Sequence, residues 1–160
     1  MNKIRVLSVF GTRPEAIKMC PLIIELKTRK LFEVCVCTTG QHKDMVEPIL
    51  HLFNITPDFD LDIMTQNQTL FDISSKTTDR IRPIIESLNP DAILVHGDTT
   101  TAFATALVGY YLRIPVVHIE AGLRTFDSFS PYPEEFNRVA IDKISSLCFA
   151  PTKSSFDNLI

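Results

Sequence analysis

The sequence lacks the features that mark secreted, membrane-bound or nucleic-acid-binding proteins. Its net charge is −3, so no excess of basic residues favours binding to nucleic acid or to an acidic membrane surface. The first apolar stretch is broken at Gly11, Thr12 and Arg13, too soon for a signal peptide and far short of a membrane span. We therefore expect a cytoplasmic protein with no nucleic-acid or membrane partner.

Sequence patterns for common cofactors are also missing. Neither G-x-G-x-x-G nor G-x-x-x-x-G-K-[ST] occurs, which argues against an NAD site and against a P-loop. The four histidines have no H-x-x-x-H spacing and the cysteines form no C-x-x-C pair, so we expect no metal site and no cofactor. The cysteines are predicted to be small buried side chains: Cys20, Cys35, Cys37 and Cys148.

What the sequence does contain is an alternation of apolar runs and helical segments. Its 160 residues, 45 % of them hydrophobic, suffice for one soluble domain with a core. Strands are predicted at 4–10, 32–38, 92–96, 116–120 and 147–150, and helices from 12 towards 30 and at 43–53, 70–88, 100–113, 134–144 and 154–160. This order predicts an α/β fold, a doubly wound and mostly parallel Rossmann-like sheet of five or six strands.

The first strand leads directly into a helix start. Thr12 and Glu15 form a capping box, and Gly11 before them has two interpretations. It could let the backbone approach a phosphate, with Arg13 and Lys18 adding charge, or it could simply permit a tight turn. We also expect Pro21 to bend this helix or to begin a second segment.

Polar residues follow four of the predicted strands. Ligands of open parallel sheets bind beyond the carboxyl ends of the strands, so these residues should converge on one edge. The clusters comprise residues 11–15, 39–42, 96–100 and 118–125. Within them His42 and His96 are candidates for polar contacts in a cleft, whereas His51 is expected on a helix surface.

Three carboxylates are candidates for acid–base chemistry. Asp98 could also be an ordinary helix N-cap. Glu120 ends a buried strand and needs a partner or a raised pKa, with Arg124 as the structural alternative. Glu134 begins a helix, where the dipole or a surface pair with Arg138 would explain it equally well.

The combination of motifs resembles one known family, the non-hydrolysing UDP-N-acetylglucosamine 2-epimerases. The resemblance spans essentially the whole chain. Its segments are Phe10-Gly-Thr-Arg-Pro-Glu-Ala-Ile-Lys-Met19, Thr39-Gly-Gln-His42, Val95-His-Gly-Asp-Thr99, His118-Ile-Glu-Ala-Gly-Leu-Arg-Thr125 and Pro133-Glu-Glu-Phe-Asn-Arg138. That family has a GT-B-like fold with substrate between two Rossmann-like domains, and residues 1–160 would be the N-terminal one.

The resemblance implies reversible epimerisation of UDP-GlcNAc to UDP-ManNAc without NAD or metal. UDP is eliminated to give 2-acetamidoglucal and then added back. The family's catalytic carboxylates correspond to Asp98, Glu120 and Glu134. Substrate binding is expected at Arg13, Lys18, His96 and Arg124, and a possible allosteric UDP-GlcNAc site at Gln41 and His42.

The resemblance also implies partners for this domain. The family's catalytic histidine and most of its nucleotide-binding residues lie in a C-terminal domain absent from this chain, so residues 1–160 alone are expected to be inactive. A homodimer formed through helices of this domain is expected as well. The alternatives are a hydrolysing 2-epimerase, a GT-B glycosyltransferase or a non-catalytic nucleotide-sugar-binding module.

Overall fold

The computed structural model of this chain describes residues 3–160. It contains six strands, β1 Ile4–Phe10, β2 Phe32–Thr38, β3 Phe59–Asp60, β4 Ala92–His96, β5 Val116–Ile119 and β6 Leu147–Phe149. The helices are α1 Arg13–Thr28, α2 Lys43–Leu52, α3 Leu70–Leu88, α4 Thr100–Tyr111, α5 Glu134–Ile144 and α6 Lys153–Asp157. No helix in this part of the chain is long and apolar enough to cross a membrane.

All six strands are parallel and lie in the order β3-β2-β1-β4-β5-β6. The chain winds outward from β1 in one direction and then, through β4, in the other. The predicted doubly wound α/β sheet is confirmed. A crevice is therefore expected at the carboxyl ends of β1 and β4, where the winding direction reverses.

Two apolar layers cover the faces of the sheet. On one face, side chains such as Phe10 and Val36 pack against α1 and α2. On the other, Leu7, Ile93 and Val95 pack with residues of α3, α4 and α5. Because central strands are covered on both faces, their sequences read as continuous apolar runs, and this is why the bounds of β1, β2 and β4 were predictable.

Several boundaries and one element differ from the prediction. β3, only two residues long, lies in a segment that was expected to be a loop. Helix α1 runs through Pro21 as one element, so no second helical segment begins there. The last helix ends at Asp157 rather than at Ile160. Cys20 and Cys37 are fully buried as predicted, while Cys35 and Cys148 are partly exposed.

Gly11 marks a close approach between the loops after β1 and β2. A Cβ atom built on Gly11 would lie 1.6 Å from Thr39 Oγ1 and 2.9 Å from Thr39 Cβ. The backbone hydrogen bond from Thr39 N to the Phe10 carbonyl holds the two loops together. Tight packing against Thr39 therefore accounts for a glycine at this position without a phosphate.

We expect Gly11→Ala to lower the free energy of unfolding by about 1–3 kcal/mol, because the methyl group has no room. Thr39→Ala removes the closest atom, so the double variant should recover part of the loss. Urea denaturation of the two single variants and the double variant gives the coupling between the residues. Purely additive effects would contradict the packing explanation.

Candidate active site

The predicted convergence of polar residues occurs at the carboxyl edge of β1, β4 and β5. Asp98 follows β4, Glu120 follows β5, and Lys18 projects from α1 beside β1. Lys18 Nζ is hydrogen-bonded to Glu120 Oε1, and His96 Nε2 lies 3.4 Å from Glu120 Oε2. Glu120 therefore lies between a flexible cation and a buried imidazole.

The counter-ion of Glu120 is not the one suggested by its neighbours in the sequence. The alternative prediction, an ion pair between Glu120 and Arg124, is wrong. Arg124 Nη1 instead lies 2.7 Å from Asp142 Oδ2, and the guanidinium is largely buried. Glu120 has a φ of +66°, a left-handed conformation that is uncommon for a non-glycine residue and often found at functional sites.

His96 is a neutral imidazole in this environment. Its pKa is lowered to about 4, chiefly by burial and to a smaller extent by the charges of Lys18 and His118, against the opposing effect of Glu120. Its Nε2 is buried and has no hydrogen-bond partner within residues 3–160, since the geometry towards Glu120 is poor. A buried, unpaired ring nitrogen beside a carboxylate is a group that a bound ligand can engage.

Asp98 lies in a shielded and acidic environment. Burial raises its pKa, and the nearby charges of Glu134 and Glu120 raise it further, while Arg138 and His118 oppose the shift. Arg138 Nε lies 3.5 Å from Asp98 Oδ2. The alternative role of Asp98 as N-cap is wrong, because Thr99 caps α4 by accepting a hydrogen bond from Ala102 N at 3.1 Å.

Helix α5 brings Glu134 to the same edge. Glu134 occupies its first turn, partly exposed and close enough to influence Asp98. The surface pair of Glu134 with Arg138 is wrong, since the buried Arg138 side chain forms ion pairs with Asp98 and with Glu135, at 3.2 Å to the latter. The three candidate carboxylates therefore come from three different segments, and the charges of Glu120 and Glu134 both act on Asp98.

The backbone N–H groups at the start of α1 are already in use. Glu15 Oε2 accepts hydrogen bonds from Gly11 N at 2.8 Å and from Thr12 N at 2.7 Å. Its other oxygen accepts from Thr99 Oγ1 at 2.8 Å. The acceptor at this helix terminus is thus the protein's own Glu15 carboxyl group, which links the loop after β1 to the loop after β4.

The remaining predicted residues lie around this edge. Arg13 is exposed in the first turn of α1. Gln41 Oε1 accepts a hydrogen bond from Thr101 Oγ1 at 3.5 Å, and the backbone N of His42 donates to the Gly11 carbonyl at 3.2 Å. His51 is exposed on α2, as expected. The roles of these residues stay predictions.

A separate cavity of about 600 Å³ lies beside α2 and β3. It borders Gly11 and Gly40 and is lined in part by Lys43, His51 and Asp60. Asp98, Glu120 and Glu134 do not line it, and β1 separates it from β4 and β5 in the sheet order. The arrangement of carboxylates, rather than this cavity, therefore defines the candidate site.

Sequence reasoning missed a buried polar cluster beneath the carboxylates. His118 Nδ1 lies 2.6 Å from Asp142 Oδ1, and Cys148 Sγ lies 3.8 Å from the same oxygen. Although these three side chains could in principle ligate a metal ion, Arg124 already neutralises Asp142 and would repel a cation. One signal was available: Glu134, Arg138 and Asp142 are four residues apart and so share one face of α5.

Comparisons with known proteins identify a family for the chain and solved structures with the same fold. A family model described as UDP-N-acetylglucosamine 2-epimerase matches residues 24–160. The UDP-N-acetylglucosamine 2-epimerase of Yersinia pestis is 51 % identical over 156 residues, which cover 98 % of this chain and 42 % of that protein. The crystal structure of UDP-GlcNAc 2-epimerase from Neisseria meningitidis bound to UDP-GlcNAc is 50 % identical, with a TM-score of 0.94, over 97 % of this chain and 42 % of that one.

A more distant likeness concerns the fold alone. The crystal structure of MurG from Acinetobacter baumannii is 18 % identical, with a TM-score of 0.67, over 92 % of this chain and 40 % of that one. In the Yersinia pestis relative, as in the Neisseria structure, the match extends over about 42 % of the protein's length. The chain thus spans less than half of the relatives that it matches.

Proposed function

This chain belongs to the UDP-N-acetylglucosamine 2-epimerase family, as its motifs indicate, and we propose that it is the N-terminal domain of an enzyme that interconverts UDP-GlcNAc and UDP-ManNAc. The observation that carries the proposal is the convergence of Asp98, Glu120 and Glu134 at the carboxyl edge of the sheet, where the charges of Glu120 and Glu134 both act on Asp98. A second, C-terminal domain would complete the cleft.

Inverting C2 of the sugar requires removal of a hydrogen that is not adjacent to a carbonyl group. The C1–O bond to UDP must therefore break as the proton leaves, and positive charge develops at the anomeric carbon. A carboxylate near that carbon stabilises the charge, and one placed at C2 accepts the proton. The product of this step is 2-acetamidoglucal with UDP held beside it, and the reverse addition on the other face completes the epimerisation.

The side chains around Glu120 suit this chemistry. Lys18 is partly exposed, so it can leave Glu120 and interact with the departing diphosphate, as Arg13 can from the start of α1. The neutral His96 can hydrogen-bond to the sugar through its unpaired Nε2. Arg124 supports the site indirectly, because its guanidinium forms an ion pair with Asp142.

Other parts of the proposal follow from family membership. Residues 1–160 alone should be inactive, since the residues expected of the second domain are missing, and Gln41 and His42 would belong to an allosteric UDP-GlcNAc site. The full-length enzyme would be a homodimer that uses no NAD and no metal. A monomeric mass in light scattering would contradict the dimer.

Deuterium incorporation tests the elimination route. When the full-length enzyme converts UDP-GlcNAc in D₂O, UDP-ManNAc should carry deuterium at C2, because the proton held by a carboxylate exchanges with solvent before it returns. NMR and mass spectrometry of the product measure this, with residues 1–160 as a control expected to show no turnover. Retention of the original hydrogen would contradict elimination, and release of free ManNAc would indicate a hydrolysing enzyme.

A further inference from the structure

The buried ring of His118 is hydrogen-bonded through both of its nitrogen atoms. Its side chain is fully buried at the middle of β5. Nε2 lies 2.6 Å from the Gly97 carbonyl oxygen, and Nδ1 lies 2.6 Å from Asp142 Oδ1. Both ring nitrogens therefore face oxygen atoms, one on the loop after β4 and one on α5.

The chemistry of these two partners determines which ring nitrogens of His118 carry a proton. A backbone carbonyl only accepts hydrogen bonds, so Nε2 must carry a proton. Asp142 accepts from Arg124 at 2.7 Å and from Gly122 N at 3.2 Å, which are the contacts of an ionised carboxylate. An ionised Asp142 also only accepts, so Nδ1 carries a proton too and the ring is an imidazolium.

This charged ring holds the loop that carries Asp98. The carbonyls of two successive residues are bound to the rest of the domain, that of Gly97 by His118 and that of Asp98 by Asn137 Nδ2 at 2.9 Å. Gly97 has a φ of +63° and no Cβ atom to restrict its backbone, so these bonds, together with the one from Gly97 N to the Ile119 carbonyl at 2.9 Å, hold a segment that is otherwise free to adopt other conformations. The positive charge of the ring also favours the ionised form of Asp98 by opposing the effect of burial on its pKa.

The same cluster fastens the two other carboxylate-bearing segments. Asp142 lies on α5, two turns after Glu134, so its bond to His118 fixes this helix against β5. Gly122 and Arg124 follow Glu120 in the chain and both donate to Asp142. All three segments that carry the candidate carboxylates therefore meet at the His118–Asp142 pair.

We propose that His118 is a positioning residue, a buried imidazolium that sets the relative placement of Asp98, Glu120 and Glu134 without contacting the sugar. The inference rests on the proposed function, because it assigns the chemistry to those three carboxylates. A displacement of about 1 Å in a reacting group costs up to about 100-fold in rate. His118 thus acts on the chemical step rather than on nucleotide binding.

The first test compares His118→Gln with variants of Ile141 in the full-length enzyme. Ile141 is a fully buried apolar residue of α5 beside Asp142, so Ile141→Val and Ile141→Ala provide graded losses of stability in the same region. Well below every melting temperature, His118→Gln should lower kcat about 10- to 100-fold. KM and the affinity for UDP should change less than about threefold, and the Ile141 variants should keep kcat within about twofold of wild type.

Two outcomes of this comparison would overturn the inference. One is a kcat for His118→Gln that matches the Ile141 variant of equal melting temperature. The other is a loss of UDP affinity as large as the loss of kcat, because His118 would then support the whole site rather than the carboxylates.

The second test is independent of turnover and of folding of any variant. In ¹⁵N-histidine-labelled wild-type protein at neutral pH, NMR should show protons on both ring nitrogens of His118. A ring with one proton would overturn the inference. If the wild-type enzyme did not epimerise UDP-GlcNAc, the proposed function would fail on its own, while this measurement would still report on the charged cluster.

Discussion

Glu120→Gln is expected to lower kcat of the full-length enzyme by about 10² to 10⁴-fold, the usual effect of losing a general acid or base. The change keeps the shape of the side chain and removes its charge and its ability to take a proton. Asp98→Asn and Glu134→Gln should have losses of the same order, because all three carboxylates lie at one edge of the sheet, where the charges of Glu120 and Glu134 act on Asp98. Steady-state kinetics with UDP-GlcNAc measures all three.

The matched control is Glu25→Gln. Glu25 lies on α1 and is paired with Arg29 at 2.6 Å, but both side chains are exposed, so the pair contributes about 1 kcal/mol or less to stability. This variant should keep wild-type turnover. The three site variants should melt close to the wild-type temperature, and near-normal turnover of any one of them would remove that residue from the catalytic set.

The sequence was sufficient to predict the sheet because burial on both faces leaves a clear pattern. β1, β2 and β4, and the helix from Leu70 to Leu88, have the predicted bounds. β3 was missed because its two residues, Phe59 and Asp60, are too few to show the alternating pattern of a strand. Strand ends also predicted that Asp98 and Glu120 would lie at one edge, since this follows from parallel topology alone.

Side-chain pairing could not be predicted, because it depends on contacts between residues far apart in the chain. Glu120 has a cation four residues away, Arg124, yet it pairs with Lys18 from a different element. Asp98 and Thr99 are both good N-cap residues, and only the backbone path after β4 decides that Thr99 caps the helix. The capping box formed by Glu15 was predicted, but its bond to Thr99 across the sheet was not.

That bond makes Glu15 the residue whose truncation should cost the most stability at this edge. Glu15→Ala removes the acceptor for Gly11 N, Thr12 N and Thr99 Oγ1, and it leaves these donors without a partner in a largely buried place. The loss of the cap and of the buried hydrogen bonds should lower the free energy of unfolding by about 2–4 kcal/mol. Urea denaturation of the full-length protein measures this.

Glu15→Gln is the informative partner of that variant. A glutamine oxygen can still accept from Gly11 N and Thr12 N, and its amide can donate to Thr99 Oγ1, which also accepts from Ala102 N. We therefore expect a cost of about 1 kcal/mol or less at neutral pH. A loss as large as that of Glu15→Ala would mean that the negative charge, rather than the hydrogen bonds, holds the two loops.

The stabilities of wild type and Glu15→Gln should also depend differently on pH. Burial raises the pKa of folded Glu15 above its usual value of 4.5, although its hydrogen bonds oppose the shift, so the folded state keeps a proton that the unfolded chain has already lost. The contribution of Glu15 is then fully present below pH 4.5 and declines as the pH rises through the folded-state pKa. Glu15→Gln does not titrate at this position, so its stability relative to wild type should improve from pH 4.5 upwards. If wild type instead becomes more stable relative to Glu15→Gln as the pH rises, the hydrogen bonds from Gly11 N, Thr12 N and Thr99 Oγ1 outweigh burial, and the pKa of Glu15 is lowered.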